Sequence, residues 1–303
     1  MMDLRQLRYF IAVARERNFT RAAAQLHIAQ PPLSRQIQLL EDELGVTLLI
    51  RSGRPVQLTD AGRVFYEQAL QVLGRVDQMI DTTRRVGRNQ NRVLSIGFVA
   101  STLYGGLPAL VRKLRSSQPD LDIRLLEMLS TQQVAALKEG RIDVGFGRLR
   151  HSDPGVTSTT LRQERLAVAL SRSAELAGDT GPVTLSELAG QKLIIYPKEP
   201  RPSYADYILN LIRNADIDPV EVQEVREIQT ALGLVAAESG ICIVPLSARQ
   251  MRSDVTYRPL SDRAATSPII MTQRSGDTSP ILNQIRDMIT EIYAEKPAWL
   301  GRN

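Results

Sequence analysis

The chain has 303 residues, enough for two or three domains, and 43% of them are hydrophobic, as in ordinary globular proteins. Its single cysteine, Cys242, excludes an intrachain disulfide, and the sequence contains neither a secretion signal nor an apolar run of membrane-spanning length. These features predict a cytoplasmic protein that makes no contact with a membrane.

The net charge of +5 is distributed unevenly along the chain. Residues 1–90 hold 13 arginines, no lysine and 9 acidic residues, whereas the basic and acidic residues of 91–303 nearly balance. A local excess of cations is the electrostatic footprint expected for binding to phosphate groups. The N-terminal part is therefore the candidate for a DNA interface.

Residues 18–44 predict two short helices joined by a tight turn. Thr20 is expected to cap the first helix, and the turn is expected at residues 27–30. The second helix opens on two prolines, whose missing N–H groups cost little in a first turn. Its apolar residues recur at helical spacing and predict one buried face: Leu33, Ile37, Leu40 and Leu44.

The opposite face of the second helix carries polar side chains that suit DNA. At about 100° per residue, Ser34, Arg35 and Gln38 point away from the apolar face. A hydroxyl, a guanidinium and an amide can pair with base edges and phosphates. The alternative is an ordinary helical hairpin with a solvated polar face. The DNA contacts predicted on this helix are Gln30, Pro31, Pro32, Ser34, Arg35 and Gln38.

A basic hairpin is predicted after the glycine stop at Gly45. In the segment VTLLIRSGRPVQLT, two short β-rich pieces flank RSGRP, a pattern typical of a wing. Arg51 and Arg54 are predicted to reach backbone phosphates or an adjacent minor groove. A plain solvated turn is the alternative.

A long helix, capped by Thr59 or Asp60, is expected to run to about residue 86. Its apolar seam alternates spacings of four and three, the period of a coiled coil. Two chains paired along this seam would present two recognition helices to a two-fold-related DNA site. A single helix packed on a core is the alternative. The seam consists of Phe65, Ala69, Val72, Val76, Met79, Thr83 and Val86.

From residue 93 onward, predicted strands alternate with helices, which implies βαβ units around a parallel sheet. The strand RLAVALS is expected to enter a second lobe near residue 164, and SPIIMTQR is expected to return to the first. The predicted fold is α/β multidomain. It has a winged helix-turn-helix at 1–58, a linker helix and hinge at 59–92, and a two-lobed α/β domain at 93–303. Lobe I is expected at about 93–163 and 267–303, and lobe II at about 164–266.

Polar side chains follow three predicted strands where each strand ends. In open α/β sheets ligands bind at such ends, and hydroxyls and free N–H groups at helix N-termini beside a guanidinium make an anion site. A small carboxylate is the expected guest, and the loop PKEPRPSYADY would supply the opposite wall. The alternative is that the hydroxyls are helix caps and that Arg148 pairs with Asp143 or a surface acid. The predicted ligand contacts are Ser101, Thr102, Ser130, Thr131, Arg148, Pro202, Ser203 and Tyr204.

Catalysis has no positive signal in the sequence. His27 and His151 are the only histidines, and GxSxG, HExxH, paired cysteines and a phosphate-binding glycine loop are all missing from the sequence. We therefore predict no catalytic residue, no metal ligand and no cofactor.

The chain resembles the LysR-type transcriptional regulators along essentially its whole length. Three segments carry this resemblance: LRQLRYFIAVARERNFTRAAAQLHIAQPPLSRQIQLLEDELGVTLLIR, LTDAGRVFYEQA and the α/β half. Within that family, a subgroup regulates catechol and benzoate degradation in response to muconate. The segments that look like this subgroup are IAQPPLSRQI, STLYGGLPAL, ALKEGRIDVGFGRLR, YPKEPRPSYAD and EIQTALGLVAA.

The resemblance implies a winged helix-turn-helix, a dimerising linker helix, an effector domain of the periplasmic-binding-protein type and a tetramer built as a dimer of dimers. Expected partners are operator DNA and RNA polymerase, and the expected effector is a small dicarboxylate such as cis,cis-muconate. The alternative effector is another aromatic or chloroaromatic acid. The alternative classes of protein are a solute-binding protein and an enzyme. The positions that match the subgroup's effector site are Ser101, Ser130 or Thr131, Arg148, Pro202 and Tyr204.

Overall fold

The structure is a computed structural model that describes residues 2–53, 55–87, 92–295 and 297, with backbone only at 78, 81, 82 and 84–87. The described chain divides into two compact units. The first holds α1 (Leu4–Glu16), α2 (Phe19–Gln25), α3 (Gln30–Leu44), β1 (Leu49–Ile50), β2 (Gln57–Leu58) and α4 (Asp60–Gly87). None of the described helices is long and apolar enough to cross a membrane.

The first three helices share one apolar core, and α3 contributes the face that its spacing predicts. Leu33, Ile37 and Leu40 are fully buried there, whereas Leu44, the last residue of α3, is exposed. The predicted cap of α2 was also wrong. Asn18, not Thr20, precedes the helix, and its Oδ1 accepts from the N–H groups of Thr20 (2.9 Å) and Arg21 (3.1 Å). An extended residue immediately before the first helical residue is the one placed to cap it.

α4 begins at the predicted place, where Thr59 Oγ1 accepts from the N–H of Gly62 at 2.9 Å. The first two seam residues, Phe65 and Ala69, pack against α1 of the same chain. Farther along the seam, Val72 is 44% and Met79 is 61% exposed. Apolar side chains repeated along one open stripe are what a partner helix would cover. The side chain of Val86 lies outside the described residues.

The second unit begins with a parallel sheet core. β3 (Arg92–Phe98) pairs in parallel with β4 (Leu121–Glu127) and with β5 (Val144–Gly147). α5 (Leu107–Ser117), α6 (Ser130–Lys138) and the terminal α9 (Pro280–Ala294) complete this first lobe. α5 and α9 pack on the sheet through one apolar cluster that includes Leu114, Phe146 and Ile285.

The second lobe holds β7 (Lys192–Ile195), α7 (Tyr204–Arg213), β8 (Glu221–Glu224), α8 (Ile228–Ala236), β9 (Cys242–Pro245) and β10 (Val255–Pro259). β7 and β8 are parallel, as the alternating pattern predicts. The apolar cluster of this lobe includes Cys242, whose thiol is fully buried.

Two long antiparallel strands connect the lobes: β6 (Val156–Ser171) and β11 (Thr266–Arg274). The first part of β6 pairs with β11, and its last part pairs with β9 and β10. A register shift at Ile269 and Ile270 leaves Leu161 as the extra residue of a bulge. The strand predicted near residue 164 is therefore the last part of a longer strand, and the predicted parallel pairing of β3, β4 and β5 is joined by antiparallel pairs that β6 and β11 make.

We predict that the double variant Val72→Glu, Val76→Glu assembles less than the wild type. Pairing along the seam would bury unpaired like charges, and a buried unpaired charge costs roughly 3–5 kcal/mol. Analytical ultracentrifugation of the full chain measures the change. Asp77→Lys, which changes the charge of α4 by two units in the opposite direction and away from the seam, is the control and should assemble normally. An unchanged assembly of the double variant would refute pairing through this stripe.

Candidate functional site

The outer face of α3 carries the side chains predicted to contact DNA. Arg35 and Gln38 are exposed and Ser34 is half-buried, because the buried leucine and isoleucine face fixes the orientation of the helix. Gln38 Nε2 donates to Asp42 Oδ1 at 2.9 Å. The three predicted residues of the first turn are also exposed: Gln30, Pro31 and Pro32. The structure thus brings all six residues to one surface, and their contact with DNA stays a prediction.

The wing forms as predicted, with β1 and β2 paired antiparallel. The guanidinium of Arg51 does not extend freely from it. It forms an ion pair with the buried carboxylate of Glu41 and lies over the ring of Phe19, 5.6 Å from its centre. Arg54 lies outside the described residues.

A cavity of about 890 Å³ lies between the two lobes of the second unit. Three helices, α6, α7 and α8, begin at its wall, so the positive ends of their dipoles face it. Of the eight predicted ligand contacts, seven line this cavity. They are Ser101, Ser130, Thr131, Arg148, Pro202, Ser203 and Tyr204.

The assignment of Thr102 to this cavity was wrong. Its hydroxyl donates to the carbonyl of Val99 at 2.8 Å, and its side chain lines a smaller apolar pocket. The 3₁₀ turn after β3 directs neighbouring side chains apart, so only Ser101 of the pair faces the cavity. Ser203 lines the cavity and also caps α7, since its hydroxyl accepts from the N–H of Ala205 at 3.2 Å.

Arg148 is the organising side chain of the cavity, although it is only 4% exposed. Its Nε donates to Ser101 Oγ at 2.7 Å, and its backbone N–H donates to Ser130 Oγ at 3.1 Å. The close approach of that hydroxyl depends on the preceding Gly147, because a Cβ there would lie 2.5 Å from it. Residues that follow two other strands are therefore joined to Arg148, Ser101 through its guanidinium and Ser130 through its backbone.

The carboxylate that balances Arg148 is Glu164, in the middle of β6. Arg148 Nη2 donates to Glu164 Oε2 at 2.6 Å, and the other oxygen of Glu164 accepts from the backbone N–H of Ser247 at 3.0 Å. Arg162 lies 3.5 Å from that second oxygen. The expected alternative partner, Asp143, instead pairs with Arg274. The charge of Arg148 is thus largely neutralised inside the protein.

Burial and charge act in opposite directions on Glu164. Burial raises the pKa of this carboxyl. The charges of Arg148 and Arg162 and the hydrogen bonds around the carboxyl lower its pKa by more, so that the net pKa lies below the ordinary 4.5. Glu164 is therefore ionised near neutral pH. An arriving anion meets a paired guanidinium, hydroxyls and N–H groups rather than a free positive charge.

The floor of the cavity is aromatic. Tyr196 and Tyr204 both line it, with ring centres 5.4 Å apart. Neither buried hydroxyl has a hydrogen-bond partner among the residues that the structure describes, and burial raises the pKa of both phenols well above 10.0. The rings are therefore neutral and offer apolar surface to the flat or unsaturated part of a ligand.

Sequence reasoning did not identify Glu164, Tyr196 or Ser247. Glu164 is the one acid in the strand VTSTTLRQERLAVALS, next to its most apolar stretch, and that isolation was the available signal. Tyr196 ends the apolar run KLIIY before a proline-rich loop. Among the described residues, no group of three or more His, Cys, Asp and Glu is placed to hold a metal ion. The arrangement around Arg148 is suited to binding an anion.

Comparison with known proteins covers both units. Residues 4–63 match the profile of the bacterial regulatory helix-turn-helix protein, lysR family, and residues 87–294 match the LysR substrate binding domain. The chain is 64% identical to the probable cat1 operon transcriptional activator of Acinetobacter lwoffii over 299 residues, which is 99% of each chain.

One solved structure is similar to the C-terminal unit and another to the whole chain. The effector binding domain of BenM from Acinetobacter baylyi, with its effector benzoate, is 39% identical. The match covers 71% of this chain and all of that domain, with a TM-score of 0.66. Full-length CbnR in complex with its target DNA is 33% identical, with a TM-score of 0.66 over 96% of this chain and 99% of that one.

We predict that Arg35→Ala weakens binding to a specific DNA site by about 1–3 kcal/mol and relaxes the preference at one base position per half-site. The physical reason is the loss of a forked donor from the exposed face of α3. Affinities for a panel of single-base variants at fixed salt measure the effect. Arg5→Ala removes an exposed arginine from α1 and should leave the base preference intact. Identical preferences for Arg35→Ala and wild type would contradict the assignment.

We predict that Glu164→Gln lowers the free energy of unfolding near neutral pH by about 3–5 kcal/mol, because a buried charge pair is broken. Since the folded pKa is depressed, the part of this stabilisation that depends on ionisation is present above pH 4.5 and is lost as the pH falls through the lower folded value. The difference in melting temperature between variant and wild type should therefore narrow below pH 4.5. Glu175→Gln, at an exposed position, is the control. A difference that does not change with pH would rule out this account.

Proposed function

The chain belongs to the LysR family of DNA-binding transcriptional regulators, and from this premise we propose that it activates genes of aromatic-acid catabolism in response to a small dicarboxylate such as cis,cis-muconate. The expected site of action is operator DNA in the cytoplasm, with RNA polymerase as a further partner. The protein acts as a regulator and not as an enzyme, as its relatives do.

The observation that carries the proposal is the ring of donors around Arg148 at the meeting point of two lobes. A carboxylate placed there would accept from Ser101, from Ser130 or Thr131, and from N–H groups at the start of α6. The cavity volume, about 890 Å³, is in the range that holds small ligands. The aromatic floor formed by Tyr196 and Tyr204 suits the conjugated carbon chain of a muconate.

The proposed mechanism uses the two lobes as the switch. A ligand held by Ser101 and Arg148 on one side and by Pro202 and Tyr204 on the other contacts both lobes. It favours the lobe arrangement that it fits best, and it shifts the equilibrium only by its differential affinity for the two arrangements. In a tetramer joined through its effector domains, that shift would change DNA bending or polymerase contact while the protein stays on its operator.

A second candidate effector is an aromatic monocarboxylate. It is favoured by the similarity to the benzoate-bound BenM domain and by the ring surfaces of Tyr196 and Tyr204. A benzoate would use the donors around Arg148 and stack on the floor. Its single carboxylate would leave the N–H groups at the start of α8 without an acceptor. The second carboxylate of a dicarboxylate could accept from them.

Calorimetry of cis,cis-muconate, benzoate and saturated adipate tests the proposal. We expect muconate to bind most tightly, because saturated adipate lacks the planar conjugated chain that packs on the tyrosine rings and benzoate lacks the second carboxylate. Ser101→Ala should weaken muconate about tenfold, the loss of one charge-assisted hydrogen bond.

The double variant Arg148→Met, Glu164→Gln, which removes both charges of the central pair together, should abolish muconate binding. Arg150→Ala, an exposed arginine two residues away, is the matched control and should bind normally. If none of the three acids binds the wild type at millimolar concentration, the effector class is wrong. If the double variant binds muconate as the wild type does, the cavity is not the site.

A further inference from the structure

A buried carboxylate links the recognition helix to the wing. Glu41 belongs to α3 and is only 6% exposed. Its Oε1 accepts from the backbone N–H groups of Leu48 at 2.8 Å and Leu49 at 3.0 Å, where the first wing strand begins. Its Oε2 forms the ion pair with Arg51, immediately after that strand. One side chain of α3 therefore holds the wing at three residues: Leu48, Leu49 and Arg51.

The partner of Glu41 is itself held on two sides. Arg51 is about one-third exposed on its side chain, and its guanidinium lies between the Glu41 carboxylate and the ring of Phe19, the first residue of α2. The second wing strand is tied separately, because Val56 N–H donates to the carbonyl of Arg17 at 3.0 Å. The Glu41–Arg51 pair thus fixes the leading strand of the wing to both helices of the helix-turn-helix.

We propose that Glu41 is a positioning residue for DNA binding, and that Arg51 serves as its clasp on the wing rather than as a phosphate contact. The paired charges cancel, so the pair adds little to long-range attraction of DNA. Its contribution is preorganisation: charge-assisted hydrogen bonds hold the wing at a set distance from α3 before DNA arrives. DNA backbone contacts set register only when the elements that make them are already aligned.

The two roles open to this pair predict opposite results for neutralising Glu41. If electrostatic attraction decides, Glu41→Gln removes a negative charge close to DNA and tightens binding. If positioning decides, the same variant weakens binding, since an amide holds neither Arg51 nor two N–H groups as a carboxylate does. Glu43→Gln makes the same charge change at an exposed position of α3, where the carboxylate accepts from the N–H of Met2 at 2.7 Å, and it is the control for the electrostatic effect.

The salt dependence of DNA binding shows whether Arg51 contacts a phosphate or only holds Glu41. A lost phosphate contact lowers the slope of log affinity against log salt by about 0.9 for each wing on the DNA. A lost clasp lowers affinity and leaves the slope unchanged. Arg51→Met removes the charge and leaves the two backbone hydrogen bonds of Glu41 in place, and Arg51→Lys keeps an ion pair with Glu41.

The experiment measures the full chain and these variants on a duplex site that the wild type selects from random sequence, between about 50 and 300 mM salt. We expect Glu41→Gln and Arg51→Met each to bind roughly tenfold more weakly at every salt concentration. The double variant should be no weaker than either single variant, Arg51→Lys should recover most of the affinity, and Glu43→Gln should bind as tightly as wild type or more tightly.

The proposal is overturned if Arg51→Met lowers the salt slope by the phosphate increment, or if Glu41→Gln binds as tightly as Glu43→Gln. Circular dichroism and melting temperature establish that each variant is folded. If Glu41→Gln fails to fold, the slope measured for Arg51→Met decides between the two roles by itself.

Discussion

The second unit depends on one interaction, the buried pair of Arg148 and Glu164. Removing both charges from water is costly, and a pair this deep persists only when further hydrogen bonds satisfy it. Those bonds come from Ser101 and from the backbone of Ser247, which belong to different lobes. The pair therefore sets the positions of the cavity's donors, and it does so at the place where the lobes meet.

The two units use the same physical device for different purposes. In each, a buried glutamate accepts from the backbone and pairs with arginine, and so joins segments that are separate in sequence. Glu41 joins a helix to a wing, and Glu164 joins two lobes. In both cases the arginine expected to meet an anion from outside is already matched by an internal carboxylate. Recognition then relies on the arrangement of the remaining donors more than on net charge.

The parts of the fold that the sequence predicted are those whose signal is local. α3 and α4 follow from apolar spacing within each helix, and the strand ends at Ser101, Ser130 and Arg148 follow from strand–helix alternation. The length of β6 did not follow, because its polar first half is stabilised by β11, about a hundred residues later in the chain. Glu164 and Glu41 were missed for the same reason: their partners are set by tertiary packing. The orientation of Thr102 depends on the 3₁₀ turn after β3, and no residue in the sequence indicates that type of turn.

The ribbon of β6 and β11 has a mechanical consequence. Because the lobes share a continuous hydrogen-bonded ladder instead of flexible connections, any change in the angle between them has to be taken up as twist in these two strands. The bulge at Leu161 is where the ladder yields with the least loss of hydrogen bonds, and it lies next to Arg162 and close to Glu164. Deformation is thereby concentrated beside the charged groups of the cavity. A hydrogen-bonded ribbon of this kind resists a wide opening between the lobes, because such an opening would break hydrogen bonds of the ladder.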